Sequence, residues 1–224
     1  MHREAIPEPV WRLLLRLSGL KSLESAYLGG GTALAMQLGH RISADLDFFV
    51  PGNLECETLI HDLQDVGMNA TMIGRTPSHC ELSIEAIRVD YLREMMPPRF
   101  PLRMVVSEGG KFHMADAADI GRMKLHAIAG RGSRKDFIDL YCLTRATIPL
   151  EQLLMLALEE HATVRFNRLL FLKGLVDFEE ADKDVQPILL WSIDWCQVKA
   201  DLTEEVKRIA QKMELRPIRD HDSE

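Results

Sequence analysis

The sequence predicts an α+β protein in which a mixed αβ half is followed by an all-helical half, the change falling near residues 109–115. Short apolar or alternating runs recur between residues 25 and 106, with helical spacing between some of them. Beyond Gly110 the apolar period becomes that of helices. The chain has 224 residues, 46% apolar and 27% charged, enough to bury a sizeable core.

Taken in order, residues 8–20 place Leu13, Leu14 and Leu17 on one side of a short helix that Ser18-Gly19 ends. Residues 25–28 form a strand running into Gly29-Gly30-Gly31. Thr32 then opens a helix as its N-cap, with Leu34, Ala35 and Leu38 inward. Residues 45–50 are the next strand, stopped by Pro51-Gly52, and 54–66 have helical spacing. Three strand-like runs follow Gly67, at 68–73, 80–84 and 86–92. Pro97, Pro98 and Pro101 mark a loop, and 102–106 is the last strand expected. Helices are expected at 116–130, 134–146, 150–160, 165–176 and 185–213, with breaks at 130–133 and at Ile148-Pro149. Trp191 and Trp195, four apart, are assigned to the last helix as packing residues, and 177–184 to a solvated loop. The tail 216–224 is polar and expected to fray.

Composition excludes several classes of function. A net charge of −7 argues against a protein that coats nucleic acid over its whole surface, while leaving room for a local basic patch. No apolar run approaches membrane-spanning length, and the N-terminus lacks a signal peptide's apolar centre, so no membrane association and a cytoplasmic location are expected. Cys56, Cys80, Cys142 and Cys196 form no CxxC pair, which argues against a zinc site or a disulfide framework and for reduced thiols.

The chemistry concentrates in LGGGTALAMQLGHRISADLDFF. On a strand, Asp45 and Asp47 point the same way while Leu46 and Phe48 enter the core. Such a carboxylate pair suits Mg²⁺, which takes oxygen ligands from one or two carboxylates, phosphates and water. The plain alternative is a solvated pair bonded to Arg41. Three glycines between strand and helix let backbone pass close to a bound group, and the helix amides behind them can meet a phosphate. A third carboxylate is expected if two metals are held. Asp90 fits because it interrupts an apolar strand, where a charge is costly unless paired or metal-bound; Glu85 is second, and a salt bridge with Arg88 or Arg93 is the competing account.

A second cluster lies in IGRMKLHAIAGRGSRKDFIDLYCL. Lys124, Arg131, Arg134 and Lys135 can hold triphosphate oxygens, lysine as a point charge and arginine as a fork, or form a solvated basic face. Asp136 is either a base for an acceptor hydroxyl or the cap of its helix, and Asp139 orients a cation. His126 reads as a half-buried helix residue, and His40, His79 and His113 show no ligand spacing.

Leu28-Gly-Gly-Gly-Thr-Ala-Leu-Ala, Arg41-Ile-Ser-Ala-Asp-Leu-Asp-Phe-Phe, Lys124 and Arg134-Lys-Asp-Phe-Ile-Asp-Leu resemble the AbiEii/AbiGii-type nucleotidyltransferase toxins, themselves similar to the DNA polymerase β-like nucleotidyltransferase superfamily. The resemblance covers residues 25–145 well and the helical remainder in character only. It implies a nucleotidyltransferase-type mixed sheet flanked by helices over residues 1–112, a helical domain over 113–215 and a polar tail over 216–224. It implies NTP as substrate, with Mg²⁺ or Mn²⁺. Carried over by position, Gly30, Gly31 and Thr32 match the phosphate-cradling turn, with Arg41 and Ser43 of the next motif on the nucleotide. Asp45 and Asp47 match the metal pair, Asp90 more loosely the third carboxylate, Lys124 the nucleotide-contacting lysine, and Asp136 a later catalytic motif. Arg131 and Arg134 are candidate partners of Lys124 on the leaving pyrophosphate. Family members serve as the toxin half of toxin–antitoxin or abortive-infection pairs, and some extend tRNA ends. The expected function is transfer of a nucleotide from NTP to RNA, a tRNA 3′ end above all, met by the basic segment 122–135. The alternative is a non-catalytic NTP-binding module acting through an antitoxin protein.

Overall fold

The structure is a computed structural model, and it describes residues 1–159 and 168–214. Helix α1 (Glu8–Leu17) buries Val10, Trp11, Leu13, Leu14 and Leu17. Pro9 sits in its first turn, where a missing N–H costs nothing. Strand β1 (Tyr27–Leu28) runs through the glycine turn into α2 (Gly30–Leu38), which Gly39 ends in the left-handed conformation at φ 66°. Then come β2 (Leu46–Val50), α3 (Cys56–Asp65), β3 (Ala70–Thr76), β4 (His79–Ile84) and β5 (Ile87–Arg93). A hairpin of β6 (Arg103–Ser107) and β7 (Gly110–Met114) follows. The helices α4 (Ala117–Arg131), α5 (Arg134–Ala146), α6 (Leu150–Glu159), α7 (Arg168–Gly174), α8 (Glu179–Lys183) and α9 (Trp195–Glu214) complete the chain.

The strands form one mixed sheet in the order β3-β4-β5-β2-β1-β7-β6. The β2–β5 and β1–β7 pairs are parallel and the remaining pairs antiparallel. Along β2, Leu46, Phe48 and Val50 are buried while Asp47 and Phe49 share the opposite face, as the two-residue period requires. The parallel register sets Asp47 directly beside Asp90. A continuous apolar core runs from α1 through the sheet to Phe137, Leu153 and Leu202 of the helical region.

The sheet and the helical region have the α+β layout that the sequence implies, with four local differences. The sheet reaches Met114, so residues 113 and 114 are strand and not helical region. Their Phe112/Met114 alternation is obscured by Gly109-Gly110, where Gly109 turns the hairpin at φ 100°. Residues 185–194 are not helical. Pro187 withholds a donor there, and the segment lies alongside residues 40–42 instead. Leu189 bridges Arg41, Ile42 N–H donates to Ile188 O at 2.8 Å, and Leu190 N–H donates to His40 O at 2.9 Å. Trp191 therefore packs on the His40 ring, 6.1 Å between centroids, whereas Trp195 opens α9 against Phe137 and Phe178. The acidic run at 177–184 contains helix α8 rather than a loop throughout. Gly29, not Thr32, is the N-cap of α2. Residues 165–167 of an expected helix and the expected tail 216–224 lie outside the described residues.

Candidate active site

The glycine turn matters for what it lets approach. Gly30 adopts φ +61°, and a Cβ there would stand 1.9 Å from Asp47 Oδ2. A Cβ on Gly31 would stand 2.2 Å from Arg41 Nη2. Both positions exclude a side chain so that an acidic and a basic group can reach the turn. Thr32, fully buried inside α2, donates from Oγ1 to the carbonyl of Asp45 and sits 2.9 Å from Ser43 Oγ. It thereby ties the turn to the backbone that enters β2.

A cavity of about 220 Å³ opens over this junction and is lined by Gly30, Gly31, Asp45, Asp47, Asp90 and Lys124. Asp136, Arg41 and Ser43 line it too, so nine of the residues picked from sequence meet at one end of the sheet together with Thr32 behind them. Lys135, one of the cations considered for triphosphate, also lines it, as does Arg88, which sequence offered only as a salt-bridge partner of Asp90.

The carboxylates differ in their surroundings. Asp45 precedes β2, is half-exposed, and lies 3.5 Å from Lys135 Nζ. Asp47 forms no side-chain hydrogen bond or ion pair among the described residues. Burial, then the neighbouring Asp90 and Asp45 charges, push its carboxyl up to about 6 against the opposing pull of Lys124 and Lys135. Asp90 is held on both oxygens: His79 Nε2 lies 2.5 Å from Oδ1, and Arg88 Nε donates to Oδ2 at 2.9 Å. Arg88 also reaches Glu81 at 3.2 Å. Its salt bridge to Asp90 is the partner that sequence offered as an alternative to metal. His79, Glu81 and Asp90 present ligand atoms within 4.8 Å of one another, so the strand pair is a further acidic group able to take a cation.

The basic side of the cavity is organised by Asp139, fully buried on α5. Arg41 donates to it through Nε at 2.6 Å and Nη2 at 2.9 Å, the fork geometry arginine favours. His40 Nε2 lies 2.7 Å away, and Lys124 Nζ 2.8 Å. Burial alone would raise the Asp139 carboxyl, but Lys124 and Arg41 outweigh it and hold it well below the ordinary range. Burial pulls Lys124 down in turn, and Asp139 and Asp136 reverse that and raise it. Lys124 also donates to Asp136 at 2.7 Å. Asp136 accepts from Ser133 N–H at 3.0 Å and Ser133 Oγ at 2.6 Å, closing a capping box at the start of α5. Burial raises Asp136 less than Lys124 and Ser133 lower it, so it stays ionised and occupied.

The structure does not bring Arg131 and Arg134 to this cavity. Arg131 is exposed, 3.7 Å from Glu180. Arg134 turns to α8, donating to Ala181 O and Asp182 O at 2.9 Å each and stacking 5.2 Å from the Trp195 ring centroid. Lys135 takes the cavity side of that turn. The residues missed from sequence are of two kinds. Arg88 lies two residues before Asp90 on one strand face, a signal that was readable. His79 reaches Asp90 only through the β4–β5 register, which no local pattern encodes.

With this geometry in view, known proteins supply the context. Residues 12–215 match the family described as nucleotidyl transferase AbiEii toxin, type IV toxin–antitoxin system. A protein of Aquifex aeolicus (strain VF5) is 31% identical over 163 residues, 71% of this chain and 76% of that protein. Among solved structures, MenT4, a nucleotidyltransferase toxin of Mycobacterium tuberculosis H37Rv, shares the fold with a TM-score of 0.61 at 16% identity, over 90% of this chain and 83% of that one. JHP933 from Helicobacter pylori does so with a TM-score of 0.52 at 20% identity, over 93% of this chain and 95% of that one. A mixed sheet carrying an acidic pair beside a glycine turn, matched by the family over nearly its whole length, makes this chain a nucleotidyltransferase belonging to the AbiEii toxin family.

Proposed function

We propose that the protein transfers a nucleotide from NTP to an RNA hydroxyl, a tRNA 3′ end being the favoured acceptor, with Mg²⁺ or Mn²⁺ held by Asp45, Asp47 and Asp90. The observation that carries this reading is the half-buried Asp47 carboxylate, without a side-chain partner among the described residues, in register with Asp90 and against Gly30. The donor set fits a hard cation, since all three groups are carboxylates. When bound, the metal supplies charge neutralisation at the triphosphate and at the attacking oxygen.

The residues of the chain divide the remaining work. The glycine turn and the first amides of α2 receive phosphate oxygens, which the helix N-terminus favours. The acceptor oxygen bonds to the α-phosphorus, the bond to the bridging oxygen breaks, and pyrophosphate leaves. The hydroxyl proton passes to Asp90. Lys124 and Lys135 face the charge that grows on pyrophosphate. Asp136 and Asp139 act through Lys124 and Arg41, fixing their positions, rather than on substrate.

The exposed basic residues of 122–135 support contact with an RNA backbone, which should weaken as salt rises. Among the described residues, no helix is long and apolar enough to cross a membrane. A cytoplasmic location and an antitoxin partner are part of the same proposal. The test is incubation with each α-labelled NTP, Mg²⁺ and total tRNA. Labelled RNA with the wild type and none with Asp47→Asn is the expected result. Nucleotide-induced thermal stabilisation without labelling would instead support a binding module working through a partner protein.

A further inference from the structure

We propose that His79 and Arg88 are positioning residues for Asp90, which together aim the third carboxylate beside Asp47 and weaken the pull of the acidic site on a divalent cation. This deepens the reading above and rests on it.

The arrangement follows from register. Arg88 and Asp90 are two apart on β5, so both side chains emerge on one face. On β4, Glu81 lies directly opposite Asp90, and His79 two residues before it, on that same face. The four side chains form a chain of contacts. His79 takes Oδ1 of Asp90, Arg88 Nε takes Oδ2, and Glu81 Oε1 lies 3.2 Å from that same Nε. A carboxylate gripped on both oxygens cannot rotate about its last torsion. An ionised carboxylate offers roughly four lone-pair sites, so two donors leave room towards Asp47 for a proton or a cation.

Asp47 has none of these attachments. The pair is therefore asymmetric, with one ungripped carboxylate and one already oriented. Arg88 also places a fixed positive charge within the cavity, which opposes cation entry to the three aspartates. Arg88 is half exposed, so its replacement empties no part of the core.

The experiment uses the full-length chain and two readouts. The first is Mn²⁺ binding followed by paramagnetic resonance, without RNA. Arg88→Gln should bind Mn²⁺ about fivefold more tightly than wild type, the effect expected for removing one nearby unit charge. Affinity unchanged or weakened in Arg88→Gln overturns the proposal. The second is the single-turnover rate of transfer from α-labelled NTP to total tRNA at saturating Mn²⁺. Arg88→Gln and His79→Leu should each slow it by about tenfold or more, with the KM for NTP changing little. His79→Gln, which keeps an N–H donor, should recover most of the rate. Equal rates for His79→Leu and wild type overturn the assignment of His79. Should the wild type label no RNA, the acceptor in the proposed function is wrong, and the Mn²⁺ comparison still decides the role of Arg88.

Discussion

Asp47 and Asp90 are register partners on adjacent parallel strands, and their carboxylates live in opposite circumstances. Asp90 is bonded on both oxygens, whereas Asp47 is partnerless among the described residues and pushed up to about 6 by burial and by Asp90 itself. Two like charges this close, one of them unpaired, oppose folding until something positive joins them. That conflict has measurable consequences.

Asp47→Asn should stabilise the metal-free protein while abolishing transfer. At pH 7.5 the ionised Asp47 costs about 1–3 kcal/mol relative to a neutral group, given a carboxyl raised to about 6 from an ordinary value near 4. Removing that cost should raise the melting temperature by about 3–6 °C in EDTA. A lower melting point for the variant in EDTA would contradict the account of Asp47. Added Mg²⁺ should then stabilise the wild type and not the variant.

The same carboxyl sets a pH dependence. Between about pH 4 and 6 the folded state keeps a proton on Asp47 that the unfolded chain has already lost. The contribution of this group to stability therefore falls as pH rises through that window and stays low above it. Divalent-cation affinity should move the other way, weakening by about tenfold per unit below pH 6 because the ligand must be deprotonated. Denaturant titrations of wild type and Asp47→Asn from pH 4 to 8, without metal, test this. Only the wild type should show the decline attributed to Asp47.

Gly30→Ala should be damaging in proportion to its two faults. The methyl group would stand 1.9 Å from Asp47 Oδ2, and the residue would have to hold φ +61°. A loss of about 1–3 kcal/mol in stability is expected, with transfer reduced by far more than unfolding explains, because the Asp47 carboxylate must move. Circular dichroism melts beside initial rates, measured well below the melting point, separate the two effects.

Asp139→Asn should act through its partners. Arg41 and Lys124 are each buried and each matched to this carboxylate. Breaking a buried charge network by neutralising one member typically costs about 3–5 kcal/mol, since the remaining charges stay desolvated. The variant should melt well below wild type and bind NTP poorly where it remains folded. A stability within about 1 kcal/mol of wild type would show that the Asp139 network is not what holds the basic side together.

Arg134→Ala and Lys135→Ala should part company despite being neighbours. Arg134 holds α8 through Ala181, Asp182 and Trp195, so its loss should cost about 1–2 kcal/mol of stability and leave transfer nearly intact. Lys135 lines the cavity beside Asp45, so its loss should raise the KM for NTP without lowering the melting point appreciably. Parallel melts and NTP titrations of the two variants make the comparison.

Much of this site was readable along the chain because its parts lie on short, regular spacings. The Asp45-Leu46-Asp47 alternation, the glycine turn and the capping position of Asp136 each follow from local geometry that a sequence exposes. Asp90 was readable as a charge inside an apolar strand. The rest depends on pairing between distant segments. Which of Arg131, Arg134 and Lys135 faces the cavity is fixed by where α8 docks, and a basic run does not reveal that. His40 and His79 gain their partners across 99 and 11 residues of sequence respectively. Thr32 was misread as a cap because its hydroxyl serves the backbone of Asp45 instead. Residues 185–194 were misread because apolar spacing there serves attachment to residues 40–42, not a helix.

That attachment makes the cation-lined wall of the cleft depend on the far end of the polypeptide. Ile188, Leu189 and Leu190 act as a splint along the short stretch that carries Arg41. A shortened chain ending before residue 185 would keep Asp45, Asp47, Asp90 and the glycines of the turn, yet leave Arg41 on an unsupported loop. The helical region is thus a brace as well as an appendage, and shortening the protein from its C-terminus should be felt first where triphosphate is expected to sit.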